Sequence, residues 1–235
     1  MPSRIFLIRN GETEWSLKQQ HTGSIEIPLT PNGEKQVQNT AAQFVGDGVD
    51  SNKLIQRCRI GRVYCSPRFR ARQTLALLNL GANAEDEPAH ADPGIIITDL
   101  RREWDYGVYE GLTPSAVREI RTLKGLDQIR SWNIWKDGCE GGESPQEVSA
   151  RLDRLISEIQ QFLGSQSYDV RGGEPRDVDI VCVAHGHILS ALALRWAEQP
   201  LENGMRLLTE TAGVGTLCYD HDSVDEPAVM LGARP

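Results

Sequence analysis

One apolar run constrains the fold more than any other part of the 235-residue chain. Residues 179–184 include the continuous β-rich stretch Ile180-Val181-Cys182-Val183-Ala184, in which apolar and polar positions do not alternate. A strand with this pattern is buried on both faces, as in a parallel sheet that is covered by helices. A helix-like segment, residues 188–197, follows at once. The run therefore predicts an α/β fold.

The rest of the chain alternates in the same way. Four further strands are predicted, at residues 4–9, 62–65, 95–98 and 213–219. Helices are predicted at residues 33–45 and 69–80, and a third begins after Ser144. Segments rich in Gly, Ser, Asp and Pro predict surface loops at residues 46–56, 81–93 and 165–177. Strands that alternate with helices favour a three-layer α/β sandwich around a mostly parallel sheet.

Two of the helices carry clear start signals. Thr30 is a typical N-cap residue, and Pro31 suits the first helical position because its missing N–H is not needed there. Ser144 and Glu147 have the spacing of a capping box. Behind them, apolar residues recur at three- and four-residue intervals, as on one face of an amphipathic helix: Val148, Leu152, Leu155, Ile159 and Phe162.

Composition limits the partners and the setting. We expect a single domain over residues 1–235 and no membrane span, since no apolar run reaches about 18 residues. The net charge of −8 argues against nucleic acid as a partner. Five cysteines without a C-x-x-C pair indicate neither a disulfide framework nor a zinc site, so we expect a soluble, cytoplasmic protein. The oligomeric state stays open, with a homo-oligomer as one alternative.

Charged residues follow the predicted strands at the points where they end. Arg9 and Asn10 end the first strand, Arg70 begins the helix after the second, Glu103 lies beyond the third, and His185 ends the fourth. Ligands of open α/β sheets bind at the carboxyl ends of strands, so we expect these side chains to converge. Arginine binds phosphoryl oxygens through two parallel hydrogen bonds, and a carboxylic acid can protonate a leaving alkoxide. The predicted ligand is a small phosphate monoester.

The same residues carry a family resemblance. Arg9-Asn10-Gly11-Glu12-Thr13, the segment 66–74, the segment 103–111 and Ala184-His185-Gly186-His187 occur in the order of the motifs of the histidine phosphatases, the phosphoglycerate-mutase-like superfamily. The resemblance implies a phosphoglycerate-mutase-like fold and a phosphatase that needs no metal or organic cofactor. It also implies that phosphoryl oxygens are held by Arg9, Arg70 and His185, while Glu103 acts first as acid and then as base. Further substrate-binding candidates are Thr13, Ser66, Gly186 and Ser190, although Thr13 and Ser66 could equally cap local turns.

A segment in the middle of the chain resembles one group inside that superfamily. Residues 125–127 and 132–140, with residues 225–228 near the end, are similar to fungal sedoheptulose-1,7-bisphosphatases. We expect an insertion around residues 112–142 that covers the active site. Those relatives have an arginine, placed for the distal phosphate of a bisphosphate, where this chain has Ser190. A monophosphate or a less charged ligand is therefore expected.

Asn10 departs from the family pattern at the nucleophile. The resemblance places there the histidine that becomes phosphorylated, whereas an amide nitrogen donates its lone pair into the carbonyl and can only donate hydrogen bonds to a phosphate. Without covalent catalysis water must attack directly, so we expect a rate lower by many orders of magnitude.

Three explanations of Asn10 stay open. It is a deliberate substitution that traps substrate, or the mark of a pseudoenzyme that binds a phosphometabolite without turnover. Otherwise the scaffold serves a non-hydrolytic acid–base reaction on an anionic metabolite through Glu103 and His185. The favoured hypothesis is hydrolysis of a small sugar phosphate by a phosphohistidine route when histidine replaces Asn10, this chain being inactive or strongly impaired. His21 receives no role, and His187 is expected to help begin a helix.

Overall fold

The sheet lies at the centre of the molecule. The computed structural model describes residues 3–47, 52–80, 94–166, 178–203 and 205–232. Within these ranges the strands are β1 (Ile5–Arg9), β2 (Val45–Gly46), β3 (Ile55–Gln56), β4 (Ile60–Cys65), β5 (Gly94–Ile97), β6 (Asp179–Ala184), β7 (Val214–Tyr219) and β8 (Pro227–Met230).

Six of these strands form the main sheet in the order β5-β4-β6-β1-β7-β8. The pairs β5–β4, β4–β6 and β6–β1 are parallel, whereas β7 and β8 join the sheet in antiparallel fashion. In the register of the central pair, Ile5 faces Ile180 and Arg9 faces Ala184. The prediction of an α/β fold with a mostly parallel central sheet is confirmed.

Helices cover both faces of this sheet. Those in the described part of the chain are α1 (Glu14–Leu17), α2 (Pro31–Phe44), α3 (Phe69–Leu78), α4 (Pro114–Leu123), α5 (Ile134–Asp137), α6 (Pro145–Gln166) and α7 (Gly186–Trp196). None of them has both the length and the apolar character needed to cross a bilayer.

The helix starts follow the predicted caps. The Thr30 hydroxyl accepts a hydrogen bond from the Gly33 N–H at 2.9 Å, and Pro31 is the first residue of α2. At α6, Ser144 Oγ accepts from the Glu147 N–H, while the Glu147 carboxylate accepts from the Ser144 N–H. These bonds satisfy N–H groups that have no partner inside a helix, which explains why both helices begin there.

Alternate residues of the central strands enter two separate cores. Ile5 and Leu7 of β1 lie in one core with the apolar face of α6 and with α7. Phe6 and Ile8 lie in the other with residues of α2 and α3. Successive side chains of a strand point to opposite faces, so a continuous apolar strand feeds both cores. The result is the three-layer arrangement that the Asp179–Ala184 run predicted.

The structure also corrects the sequence prediction. β8 adds an edge strand that was not predicted, and β2 pairs with β3 where a surface loop was expected at residues 46–56. Helix α7 begins at Gly186, two residues earlier than predicted, and α3 ends at Leu78 because Asn79 adopts a left-handed conformation. The loop predicted at residues 81–93 lies outside the described residues. So does most of the loop predicted at residues 165–177, whose first two residues, Ser165 and Gln166, belong to α6.

Candidate active site

A cavity of about 410 Å³ opens at the carboxyl ends of the parallel strands. Its wall includes eight of the nine residues that the sequence singled out: Arg9, Asn10, Thr13, Arg70, Glu103, His185, Gly186 and Ser190. The ninth, Ser66, is fully buried behind His185 and does not line the cavity. We call Arg9, Asn10, Arg70, Glu103 and His185 the polar floor.

Arg9 is the last residue of β1 and is held from two sides. Its Nη1 donates to the Thr209 carbonyl at 2.6 Å. A Cβ atom at Gly186 would lie 3.4 Å from the Arg9 guanidinium carbon, so the glycine at the start of α7 leaves the guanidinium its space. The sequence predicted Gly186 as a substrate-binding residue, and the structure places it in the cavity wall next to the Arg9 guanidinium.

Arg70 lies in the first turn of α3 and is almost completely buried. Its guanidinium donates to three backbone carbonyls of one loop, those of Thr22 at 2.7 Å, Ile25 at 3.1 Å and Gly23 at 3.3 Å. Burial lowers the pKa of Arg70, and the nearby Glu103 carboxylate partly opposes this shift. Since an arginine keeps its proton in proteins, the group is a fixed cation at the floor of the cavity.

Glu103 is buried and accepts three backbone hydrogen bonds. Oε1 accepts from the N–H groups of Trp104 and Ile188, both at 2.9 Å, and Oε2 from that of His187 at 3.1 Å. Two of these donors belong to the first turn of α7, so the carboxyl caps the positive end of that helix. Burial nevertheless raises the pKa of Glu103, against the effect of these donors and of Arg70. A carboxyl that holds its proton more tightly is suited to general acid catalysis.

Asn10, His185 and Ser66 form a chain of hydrogen bonds whose proton positions we assign from the partners. Asn10 Nδ2 donates to the Gly11 carbonyl at 2.8 Å, so Oδ1 faces His185 Nδ1 at 2.9 Å. Because Oδ1 can only accept, Nδ1 carries the proton. His185 Nε2 must then accept from the Ser66 hydroxyl at 2.7 Å. Burial, followed by the charge of Arg70, lowers the pKa of His185 far below its ordinary value, which agrees with a neutral ring.

This chain occupies both ring nitrogens of His185. The resemblance implies that His185 holds a phosphoryl oxygen, and a contact of that kind requires His185 to exchange its bond to Asn10 or to Ser66. Asn10 therefore affects the site twice, because it is not a nucleophile and because its carbonyl oxygen engages the neighbouring imidazole.

The hydroxyls of Thr13 and Ser190 are also engaged with the protein. Thr13 Oγ1 accepts from the Ser16 N–H and caps α1, as one of its two predicted roles requires. Ser190 Oγ donates to the Leu207 carbonyl. Both residues line the cavity. Ser190 brings no charge to it.

A buried ion pair supports the loop that carries Glu103. Arg151 of α6 donates to both oxygens of Glu143, at 2.7 and 3.0 Å, and to the carbonyls of Leu100 and Arg102. Glu143 in turn accepts from the Asp105 N–H at 2.9 Å. These hydrogen bonds hold the backbone on both sides of Glu103, at Leu100 and Arg102 before it and at Asp105 after it. No group of three or more His, Cys, Asp or Glu with the geometry of a metal site occurs in the described ranges.

The opposite side of the cavity is built from rings. We call His21, Tyr106, Trp132, Trp135 and His187 the aromatic wall, since all five line the cavity and contact one another. His21 stacks on Tyr106 with ring centroids 4.5 Å apart, and Trp132 and Trp135 meet the two histidines edge-on at 5.8 and 5.6 Å. Residues 112–142 supply both tryptophans, together with Pro114, Arg118, Asn133 and Ile134 of the lining.

The family of the chain follows from its sequence over nearly the whole length. Residues 5–227 match the histidine phosphatase superfamily, branch 1. The chain belongs to this superfamily. Its curated relatives include sedoheptulose 1,7-bisphosphatase of Saccharomyces cerevisiae, 34% identical over 98% of this chain and 94% of the relative. An acid phosphatase of Mycobacterium tuberculosis is 32% identical over 93% of this chain and 87% of the relative.

Solved structures of similar proteins show the same fold. The product of a Mycobacterium tuberculosis open reading frame superposes with a TM-score of 0.70 at 28% identity, over 98% of this chain and 97% of the other. A putative α-ribazole-5′-phosphate phosphatase of Escherichia coli also gives 0.70, at 20% identity, over 100% of this chain and 98% of the other. The predicted phosphoglycerate-mutase-like architecture is confirmed.

The sequence did not predict that the side chains of His21, Tyr106 and His187 line the cavity. His21 was given no role because its surroundings read as a loop, yet it is buried and stacked. His187 is in the first turn of α7 as predicted, and its side chain also lines the cavity. Burial lowers the pKa of each histidine to about 4, so both rings are neutral at pH 7. The order of motifs along the chain does not show that a loop residue such as His21 packs against the end of a distant strand.

Proposed function

We propose that this site is that of a phosphatase acting on a small sugar phosphate through a phosphohistidine, and that Asn10 leaves the chain strongly impaired in turnover. The superfamily supports the reaction class, and phosphatases among the relatives support the substrate class. The observation that carries the proposal is the hydrogen bond from Asn10 Nδ2 to the Gly11 carbonyl.

Asn10 Nδ2 has the same bonded position as Nδ1 of a histidine, since both follow Cβ and Cγ. A histidine at position 10 would therefore donate from Nδ1 to the Gly11 carbonyl and direct Nε2 into the cavity. It would place a carbon where Asn10 has Oδ1, and so free His185 Nδ1 for a phosphoryl oxygen. The Asn10→His change thus supplies the nucleophile and releases the second imidazole.

The reaction then follows from the polar floor. Nε2 of the substituted histidine attacks phosphorus while Arg9 and Arg70 hold the phosphoryl oxygens. Glu103 gives its proton to the leaving alkoxide as the P–O bond breaks. Water next loses a proton to Glu103 and attacks the phosphohistidine, which releases inorganic phosphate and the free imidazole. Burial of Glu103 supports the first step because a raised pKa keeps the proton available.

The test is phosphate release from a panel of sugar phosphates by the chain, its Asn10→His variant and a matched Asn10→Ala variant. We expect Asn10→His to raise kcat/KM by at least about 10³-fold over both others, since loss of a covalent nucleophile costs that much or more. An acid-labile phosphoryl label on the Asn10→His protein would identify the intermediate.

The alternatives give different results in the same experiment. An Asn10→His variant that binds inorganic phosphate but releases no more of it than Asn10→Ala contradicts the proposal and leaves a binding protein. If turnover of a non-phosphorylated anion by the unmodified chain is lost on Glu103→Gln, the acid–base alternative replaces the phosphatase.

A further inference from the structure

The aromatic wall contains one hydrogen bond that does not serve the polar floor. Tyr106 Oη lies 2.6 Å from His187 Nδ1, and Tyr106 is almost fully buried. No other bond of the Tyr106 hydroxyl is found among the described residues, so we assign the hydroxyl as the donor and His187 Nδ1 as the acceptor. Burial raises the pKa of Tyr106 far above its ordinary value, which keeps that proton in place.

This assignment gives the tautomer of His187. With Nδ1 accepting, the neutral ring carries its proton on Nε2. His187 is half-buried and lines the cavity, and within the described part of the chain no acceptor for Nε2 is found. The ring is held from the other side by Trp135, with centroids 5.6 Å apart. A positioned N–H donor therefore faces the space beside the polar floor.

His21 marks the same region as a place where the protein leaves polar groups unpaired. Its Nε2 is buried without a hydrogen-bond partner among the described residues. The ring lies 5.9 Å from that of His187 and stacks on Tyr106. His21 Nε2 is not accessible from the cavity, so His21 presents its ring to a ligand, and the accessible unpaired donor of the aromatic wall is Nε2 of His187.

The charge of this region limits the ligand. Both histidines are neutral, and Ser190 contributes a hydroxyl that already donates to the Leu207 carbonyl. Arg118 and Arg206 also line the cavity, and after burial and Arg9 the charge of Arg206 helps to lower the pKa of His187; both arginines are exposed, where solvent screens their charge. The rings offer flat apolar surfaces to a bound group. An uncharged group with a flat apolar face and at least one oxygen matches these surroundings.

We propose that His187 is a specificity-determining residue whose Nε2–H donates to a hydroxyl or carbonyl oxygen in the organic part of the phosphate ester. Tyr106 acts as the positioning residue that holds the donor tautomer, and the aromatic wall encloses the flat face of the ligand. This inference rests on the proposed phosphatase site and goes beyond it, because it assigns the chemistry of the group that carries the phosphate. A sugar ring and a phenol share that chemistry.

The experiment measures binding to the unmodified chain by calorimetry, where slow turnover is an advantage. The probes are inorganic phosphate, phenyl phosphate with its three hydroxyphenyl isomers, and a hexose 6-phosphate with its deoxy analogues. In each series the quantity of interest is the ratio of affinities between a hydroxylated ester and the analogue that lacks one hydroxyl. The series that binds more tightly shows whether a phenol or a sugar ring fits the cavity.

We expect at least one hydroxylated ester to bind about tenfold more tightly than its analogue, as one hydrogen bond allows. His187→Phe should abolish this preference, and His187→Asn, which keeps an N–H donor, should retain part of it. Tyr106→Phe should reduce the preference about threefold, since the aromatic ring remains but the hydroxyl no longer keeps the proton of His187 on Nε2. His221→Phe and Tyr219→Phe are matched controls outside the cavity and should leave the ratio unchanged.

The outcomes separate the two proposals. If inorganic phosphate binds but no hydroxyl gives a preference, or if folded His187→Phe keeps the preference, the role of His187 is refuted while the phosphatase site stands. If neither inorganic phosphate nor any ester binds to the unmodified chain or to the Asn10→His variant, the phosphatase proposal fails and this inference fails with it. Should His187→Phe not fold, Tyr106→Phe decides, and an unchanged ratio in that variant overturns the proposal.

Discussion

The polar floor and the aromatic wall hold their side chains in different ways. In the floor, Glu103 accepts three backbone N–H groups and Arg70 donates to three backbone carbonyls. In the wall, rings contact rings, and the bond between Tyr106 and His187 is the side-chain pair that orders them. Backbone bonds fix atoms in place before a ligand arrives, whereas ring contacts fix a shape. Under the proposed function, the floor binds the phosphate group and the wall binds the organic group that carries it.

The largest expected effect on activity comes from removing the carboxylic acid, Glu103, from the polar floor. In the Asn10→His variant, a second change Glu103→Gln should lower kcat/KM for a sugar phosphate by about 10²–10⁴-fold, because the leaving oxygen loses its proton donor. Steady-state phosphate release measures this. Glu14→Gln, which alters an exposed carboxylate on α1, is the control. A loss of the same size in both variants would show that Glu103 is not the acid.

The support beneath the floor should matter for stability. Arg151→Leu removes two hydrogen bonds from the buried Glu143 carboxylate, which keeps only the partly exposed Arg102 as a charged partner, and we expect a loss of about 3 kcal/mol in the free energy of unfolding. Urea denaturation measures it. Arg154→Leu removes an exposed arginine from the same helix and should change that free energy by less than about 0.5 kcal/mol. Equal losses from the two changes would contradict a special role for the Arg151–Glu143 pair.

In the aromatic wall, the expected effect is a dependence of the unfolding free energy on pH, through the buried His21. Burial, and then the neighbouring His187, lower the pKa of His21 from 6.5 to about 4, while Glu103 acts in the opposite direction. Below pH 6.5 the unfolded chain therefore binds a proton at His21, whereas the folded chain binds it only below about pH 4. Stability is lost as the pH falls through this window.

His21→Phe should remove that loss. Between pH 7 and pH 4.5 the variant should lose about 1–3 kcal/mol less unfolding free energy than the parent, since each pKa unit corresponds to about 1.4 kcal/mol. Urea unfolding at the two pH values measures the difference. His221→Phe is the control because His221 is exposed. The assignment is wrong if the variant and the parent lose stability equally.

The smallest expected effect concerns charge at the distal end of the cavity. Ser190→Arg should raise the affinity for a sugar bisphosphate relative to its monophosphate about tenfold, by adding a cation next to the wall. Competition binding measures the ratio, and Ser190→Gln controls for side-chain size. A ratio that rises equally in both variants would mean that volume, not charge, distinguishes the ligands.

The sequence predicted the polar floor well because the floor depends on strand ends. A buried parallel strand such as Asp179–Ala184 is recognisable from its apolar run, and parallel strands end at a common edge. Arg9, Glu103 and His185 therefore came together from their order alone. Ser66 was placed on the correct strand end, but whether it touches a ligand or His185 depends on side-chain directions that spacing does not encode.

The aromatic wall was not predictable in the same way. The sequence placed Trp132 and Trp135 only within an insertion that was expected to cover the active site, and it did not connect His21 and Tyr106 with them. Their contacts join segments about 85 and 110 residues apart along the chain, and no local pattern marks such a pair. The edge strand β8 was missed because it is short and begins with proline, which is tolerated at an edge.

The bond from Asn10 to the Gly11 carbonyl has a consequence at the level of the gene. Asparagine and histidine both place a nitrogen two bonds beyond Cβ, so either side chain can donate to that carbonyl from the same backbone. Their codons, AAU and AAC against CAU and CAC, differ only in the first base. Under the proposed function, one transversion separates a phosphatase from a protein that holds its ligand, and nothing else in the cavity needs to be rebuilt for the change in either direction.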